Sequence, residues 1–371
     1  METPRERILK AINHSQPDRT PVETLGFQPI ERWLQHFQVK DVFDLNEKLG
    51  LDLAIVGRSA NRWTVYTGRY TQDKLSIWGT RRNTGGPKGI GYSKERGDHP
   101  LFKAESVKDI ECFAWPTPND FDYKITGEPP QTIPDKARRI GLYGMYPESG
   151  KTHEESTEGG FWIPLLCILY ELFGFEETLM KIYTEPKIIE AAISHLEPFL
   201  LEYSRRILEA TKGLVDIFWF GDDFATARGM MISPEHWRKF FKPTYRKIFD
   251  LAKSYDLKIW FHCCGQFRPV MRDLIDMGMD VWETCQVHLP GNEPEVLKRE
   301  YGKDICFFGA INSQHTLPRG TPDDVRAEVR ERVRVLGKEG GYICGPDHTI
   351  LPDVPIENVL AMLDEAKKAQ P

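Results

Sequence analysis

The chain has 371 residues, 40% hydrophobic and 28% charged, a balance that belongs to an ordinary globular protein and excludes a disordered or fibrous one. Its net charge is -6, with acidic and basic residues interspersed, so nothing builds the basic stripe that nucleic-acid binding requires. The charged start, Met1 to Arg7, lacks the apolar core of a signal peptide, and no apolar run is long enough to span a bilayer, so the expected location is cytoplasmic.

In chain order, short apolar segments at 21–24, 53–57 and 141–146 are the strands expected of the first half. Between the second and third lies a polar stretch, 64–97, whose alternation suggests an inserted β-hairpin. The proline-rich 116–134 and the glycine- and charge-rich 146–160 are read as long loops, the second as a candidate lid. The second half is more regular. Strands are expected at 216–221, 258–262, 280–283, 305–309 and 341–345, and each is followed by a helical stretch. Apolar strands of about five residues alternating with helices point to a parallel sheet covered on both faces. Ser233 before Pro234 and Thr321 before Pro322 each place a capping hydroxyl ahead of a proline at the first helical position. Five βα units in a row, with three more strands upstream, suit a single (β/α)8 TIM barrel occupying residues 1–371, with the hairpin insertion and the long loops in its N-terminal half. There is no internal repeat and no linker that marks a second domain.

In such a barrel, chemistry collects at the C-terminal ends of the strands. Those ends carry Asp222 and Asp223, His262 and Cys264, Glu283, and Cys344 with His348. Side chains alternate along a strand, so His-x-Cys aims an imidazole nitrogen and a thiolate at one point and leaves Cys263 pointing aside. Two ligands do not hold zinc; a catalytic site normally has three, with a fourth position open. Glu283 at the neighbouring strand end is the expected third. Either His348, from the last loop, or the softer Cys344 completes the set. This mixture of donors favours Zn2+ over magnesium or calcium. Asp222 and Asp223 are candidates for a proton donor, or else cap a helix and bond loop amides. Phe224 and Trp282 are candidates to line the mouth for a flat aromatic substrate, although most aromatics near the strand ends are expected to be packing. Seven cysteines, two of them adjacent, are not a disulfide framework. His288 and His315 are expected at the surface.

With these residues in hand, the chain resembles the uroporphyrinogen decarboxylase superfamily over nearly its whole length. The matching runs are 5–13, 17–22, Gly-Asp-Asp-Phe at 221–224, His-Cys-Cys-Gly at 262–265, 340–348, 352–355 and 357–359. The resemblance implies a (β/α)8 barrel. True decarboxylases of this kind carry an arginine-rich segment after the first Arg-Pro-Val, which grips substrate carboxylates. Here residues 23–29 hold no arginine and begin with Glu23. The other branch, zinc-dependent corrinoid-linked methyltransferases, uses His-x-Cys, a Glu about twenty residues on and a late Pro-x-Cys. His262, Cys264 and Glu283 match; at the last position the chain reads Pro346-Asp-His348. The resemblance implies a methyltransferase moving a methyl group between a small methylated substrate, such as a methoxylated aromatic undergoing O-demethylation, and a corrinoid. Without an Asp-x-His-x-x-Gly motif in the chain, the cobalamin would be carried by a separate partner protein. A homodimer is compatible with this reading. The competing readings are a metal-free decarboxylase-like lyase and a non-catalytic barrel that binds a small ligand or a corrinoid protein.

Overall fold

The computed structural model describes residues 2–56, 65–66, 75–81, 98–123, 137–141 and 165–370. Among the described residues eleven strands appear in chain order: β1 Leu53–Val56, β2 Val65–Tyr66, β3 Phe121–Asp122, β4 Ala137–Gly141, β5 Ile217–Gly221, β6 Ala225–Thr226, β7 Gly229–Met230, β8 Lys258–His262, β9 Val281–Cys285, β10 Cys306–Ile311 and β11 Tyr342–Pro346. Seven of them form one sheet in the order β1-β4-β5-β8-β9-β10-β11, every pairing parallel. The result is a TIM-barrel-like α/β fold. Between the two ends of that sheet lies the segment around Val22. The Cys344 amide donates to the Pro21 carbonyl, Glu23 donates to the Cys344 carbonyl, and Asp52 donates to the Val22 carbonyl.

Alternation sorts the side chains of the sheet between two cores. Trp219, Trp260, Val281, Phe308 and Ile343 pack together on one face with Ile8, Ala11 and Ile12 of the helix Pro4–Ile12. Phe218, Phe220, Phe261, Trp282, Phe307 and Cys344 face the other way, into the helical layer. The expected helices form where their caps predict. Ser233 accepts from the His236 amide, and Thr321 makes a full capping box with Asp324. The helical stretch expected after β5 forms as two helices, Pro234–Phe240 and Lys242–Lys253, because Pro243 has no amide to continue the first. The strand expected at 141–146 begins earlier, as β4, with Gly141 the shared residue. Residues 142–146, the candidate lid at 146–160 and most of the insertion 64–97 lie outside the described residues. Of its described residues, β2 pairs antiparallel with β3 from the proline-rich stretch, and Leu75 bridges antiparallel to Arg81.

Candidate metal centre

The in-register pairing of β5, β8 and β9 sets Gly221, His262 and Glu283 side by side at the C-terminal edge of the sheet. His262 Nε2 stands 3.5 Å from Cys264 Sγ. Asp223, on the turn after β5, accepts from the Cys264 amide at 3.3 Å. One donor atom each from Asp223, His262 and Cys264 lies within 4.8 Å of the other two, and this is the only such group among the described residues. A tetrahedral zinc ion with Zn–N near 2.1 Å and Zn–S near 2.3 Å separates its nitrogen and sulfur ligands by about 3.6 Å. The donor set and its spacing fit zinc.

The local backbone explains why the turn can do this. Gly265 has φ +86°, and a Cβ there would meet the Thr226 backbone at 2.6 Å, so only glycine lets the Cys264 turn lie against the β6–β7 hairpin. Gln286 Oε1 accepts from the Gly265 amide at 2.8 Å. Thr284 has φ +65°, a costly conformation for a β-branched residue, and its hydroxyl donates to the Cys263 carbonyl at 2.8 Å. It sits where the register of β9 against β10 shifts, an irregularity of the kind that re-aims side chains at barrel rims.

Glu283 departs from its expected place as a ligand. Its Oε1 takes His262 Nδ1 at 2.6 Å and Trp219 Nε1 at 2.9 Å, while Oε2 takes Trp260 Nε1 at 2.5 Å. The carboxylate is occupied in holding the imidazole, which turns Nε2 toward Cys264. Asp222 is not in the site either. It is fully buried and accepts from the Leu166 amide at 2.7 Å, the Cys167 amide at 3.2 Å and the Tyr245 hydroxyl. It thereby caps the helix Leu165–Phe173, and burial pushes its carboxyl up to about 7. Cys344 faces the helical layer because it is out of phase with the inward positions of β11; burial pushes its thiol up to about 12. Phe224 packs on Trp237, Phe261 and Phe267, and Trp282 on Phe267 and Phe307, so neither lines the mouth.

His348 is half-buried beside the group without belonging to it. Burial, then the nearby His262, hold its pKa below the usual imidazole value. Burial and the Asp223 charge push the Cys264 thiol well above its usual range. His288, expected at the surface, instead stands with Nδ1 3.0 Å from Oδ2 of the buried Asp347. The sequence placed Asp347 next to His348 at a strand end but carried no signal linking it to His288.

Residues 164–369 match the uroporphyrinogen decarboxylase (URO-D) family. The chain is 25% identical over 245 residues to the methylated-thiol–coenzyme M methyltransferase of Methanosarcina mazei, covering 64% of this chain and 61% of that protein. It is 23% identical over 205 residues to the uroporphyrinogen decarboxylase of Chlorobium phaeobacteroides, covering 53% of each. The chain thus spans less than two thirds of the length of these curated relatives. A methyltransferase structure from Methanosarcina mazei shares the fold, with TM-score 0.64 and 18% identity over 99% of both chains. The family match runs over more than half of the chain and takes in every strand and loop that supplies the donor group: this protein belongs to the uroporphyrinogen decarboxylase family.

Proposed function

We propose that this protein is a methyltransferase that moves a methyl group between a small methylated substrate and a corrinoid carried by a separate protein, with zinc held by Asp223, His262 and Cys264. The observation that carries this reading is the convergence of His262 Nε2 and Cys264 Sγ with an Asp223 oxygen within 4.8 Å. The methyltransferase among its relatives supports it. When bound, zinc supplies Lewis acidity, lowering the pKa of a thiol or hydroxyl from which the methyl departs or to which it is added. The residues of the chain do the rest. Glu283 fixes the imidazole tautomer, Asp223 spans the Cys264 amide and the donor group, and His348 is the candidate for a fourth donor.

The reading takes residues 1–371 as one cytoplasmic domain, a (β/α)8 barrel in which the Val22 segment is the eighth strand; its backbone bonds to Cys344 and Asp52 support that count. Among the described residues no helix is long and apolar enough to cross a membrane. The metal-free lyase is the weaker reading, since the segment 23–29 offers no cation to a polycarboxylate and Glu23 is buried.

Metal analysis tests the proposal. About one zinc per chain is expected, and a Cys264→Ser variant should lose it. The zinc-loaded protein, mixed with a cobalt(I) corrinoid protein and a panel of methylated thiols and methoxyarenes, should show the spectral change of cobalt methylation. Activity that survives complete removal of metal would transfer the case to the lyase.

A further inference from the structure

One face beside the β6–β7 hairpin is apolar and exposed. Of the five large hydrophobic side chains exposed among the described residues, three lie on the single helix Phe175–Thr184: Phe175, Met180 and Tyr183, at 43%, 48% and 50% exposure. With Leu179 they line one surface groove. Tyr183 also belongs to a second groove, formed with Arg228, Met230 and Met231 of the hairpin region. Tyr183 is fixed where the grooves meet: its hydroxyl accepts from the Ser233 amide at 2.9 Å, and its ring lies 4.4 Å from that of His236. Aromatic, methionine and arginine side chains are the types that protein interfaces collect, and an exposed patch of them marks a contact surface.

Charge on this face has opposite signs at opposite ends. Glu177 and Glu185 are both paired to the buried Lys181 of the same helix, at 3.3 Å and 2.9 Å. Glu176 is exposed, lines the first groove but not the second, and stands two turns, about 10 Å, before Tyr183. Arg228 is exposed in the turn of the hairpin and lines the second groove but not the first. Neither is ion-paired among the described residues.

We propose that this face joins two copies of the chain about a two-fold axis near Tyr183, with Glu176 of each copy paired to Arg228 of the other. A two-fold contact sets one patch against itself, so it closes only where the patch is self-complementary. A strip with an acid at one end, a base at the other and apolar side chains between meets that condition: half a turn about its middle brings each charge onto its opposite. The apolar middle supplies the affinity, and the two exposed charge pairs fix the register. The hairpin that carries Arg228 also lies against Gly265, and its Thr226 carbonyl accepts from the Gln266 amide at 2.9 Å. The second copy therefore braces the turn that carries Cys264. Association itself depends neither on the metal nor on the reaction.

Sedimentation equilibrium of the full chain, from nanomolar to high-micromolar concentration, tests the contact. The wild type, which needs no variant to fold, should be a dimer. Glu176→Arg and Arg228→Glu should each raise the dissociation constant at least about tenfold, because each sets like charges face to face twice over in the dimer. An equimolar mixture of the two variants should recover wild-type association, since every facing pair is again one arginine and one glutamate. Met180→Gln should weaken association about tenfold by removing apolar area near the centre. Circular dichroism checks that these exposed substitutions leave the fold intact. A monomeric wild type would give the face to a different protein and overturn the proposal. A dimer indifferent to all three substitutions, or single variants that weaken without recovery in the mixture, would overturn it as well.

Discussion

The Nδ1 of His262 and the Oε1 of Glu283 stand 2.6 Å apart across adjacent strands, and the same carboxylate takes the indole N–H groups of Trp219 and Trp260. A buried carboxylate with three donors around it is held in place. It fixes the imidazole's orientation and leaves Nε2 as the ring's ligand atom.

From this relationship, Glu283→Gln should leave the donor atoms in place but lower zinc affinity about ten- to a hundredfold. Chelator competition measures it. An affinity loss as complete as that of Cys264→Ser would mean that Glu283 itself coordinates the metal.

The two cysteines weighed for the site should separate cleanly. Cys264→Ser should abolish stoichiometric zinc. Cys344→Ser should keep it, while a buried hydroxyl in the helical layer costs roughly 1–3 kcal/mol in urea unfolding. Loss of zinc from the Cys344 variant at full fold would return that residue to the ligand set.

Asp222 is expected to act on stability rather than chemistry. Asp222→Ala strands the Leu166 and Cys167 amides and the Tyr245 hydroxyl, removing the cap of the helix Leu165–Phe173. Each stranded group costs roughly 1–3 kcal/mol. The variant should melt earlier yet bind zinc when folded. A variant of unchanged stability and lost turnover would restore Asp222 as the proton donor.

The Val22 segment depends on Asp52, which is fully buried and accepts from Arg7 at 2.6 Å, Arg19 at 2.8 Å and 2.9 Å, and the Val22 amide at 2.8 Å. Asp52→Ala should cost about 3–5 kcal/mol, because it leaves two arginines without their buried partner. Nearby, hydrogen bonds from Arg7 hold Asp18 below its usual value of 3.8. Its contribution is therefore present above that pH and is lost as pH falls through the lower folded value. An Asp18→Asn protein should show a shallower acid transition in circular dichroism; an identical acid limb would argue against the tether.

The alternation of a strand and the caps of a helix are local, and they were legible in the residues alone. Ser233 and Thr321 announced their helices through a hydroxyl before proline, whereas strand alternation reaches only to His262, where β8 ends, and it is the turn beyond that brings Cys264 Sγ to 3.5 Å from His262 Nε2. The same phase rule, applied to β11, would have turned Cys344 toward the helices. What local pattern could not decide was which partner each loop or strand-end carboxylate meets. Asp222 bonds amides 55 and 56 residues away, and Glu283 bonds Trp219 across 64. Those contacts exist only once β5, β8 and β9 are paired in register, because that pairing turns one of two adjacent aspartates toward a helix and the other toward Cys264. Asp347 and His288 meet for the same reason: two loops distant in the chain leave the sheet at one edge, and no periodicity within either loop encodes their contact.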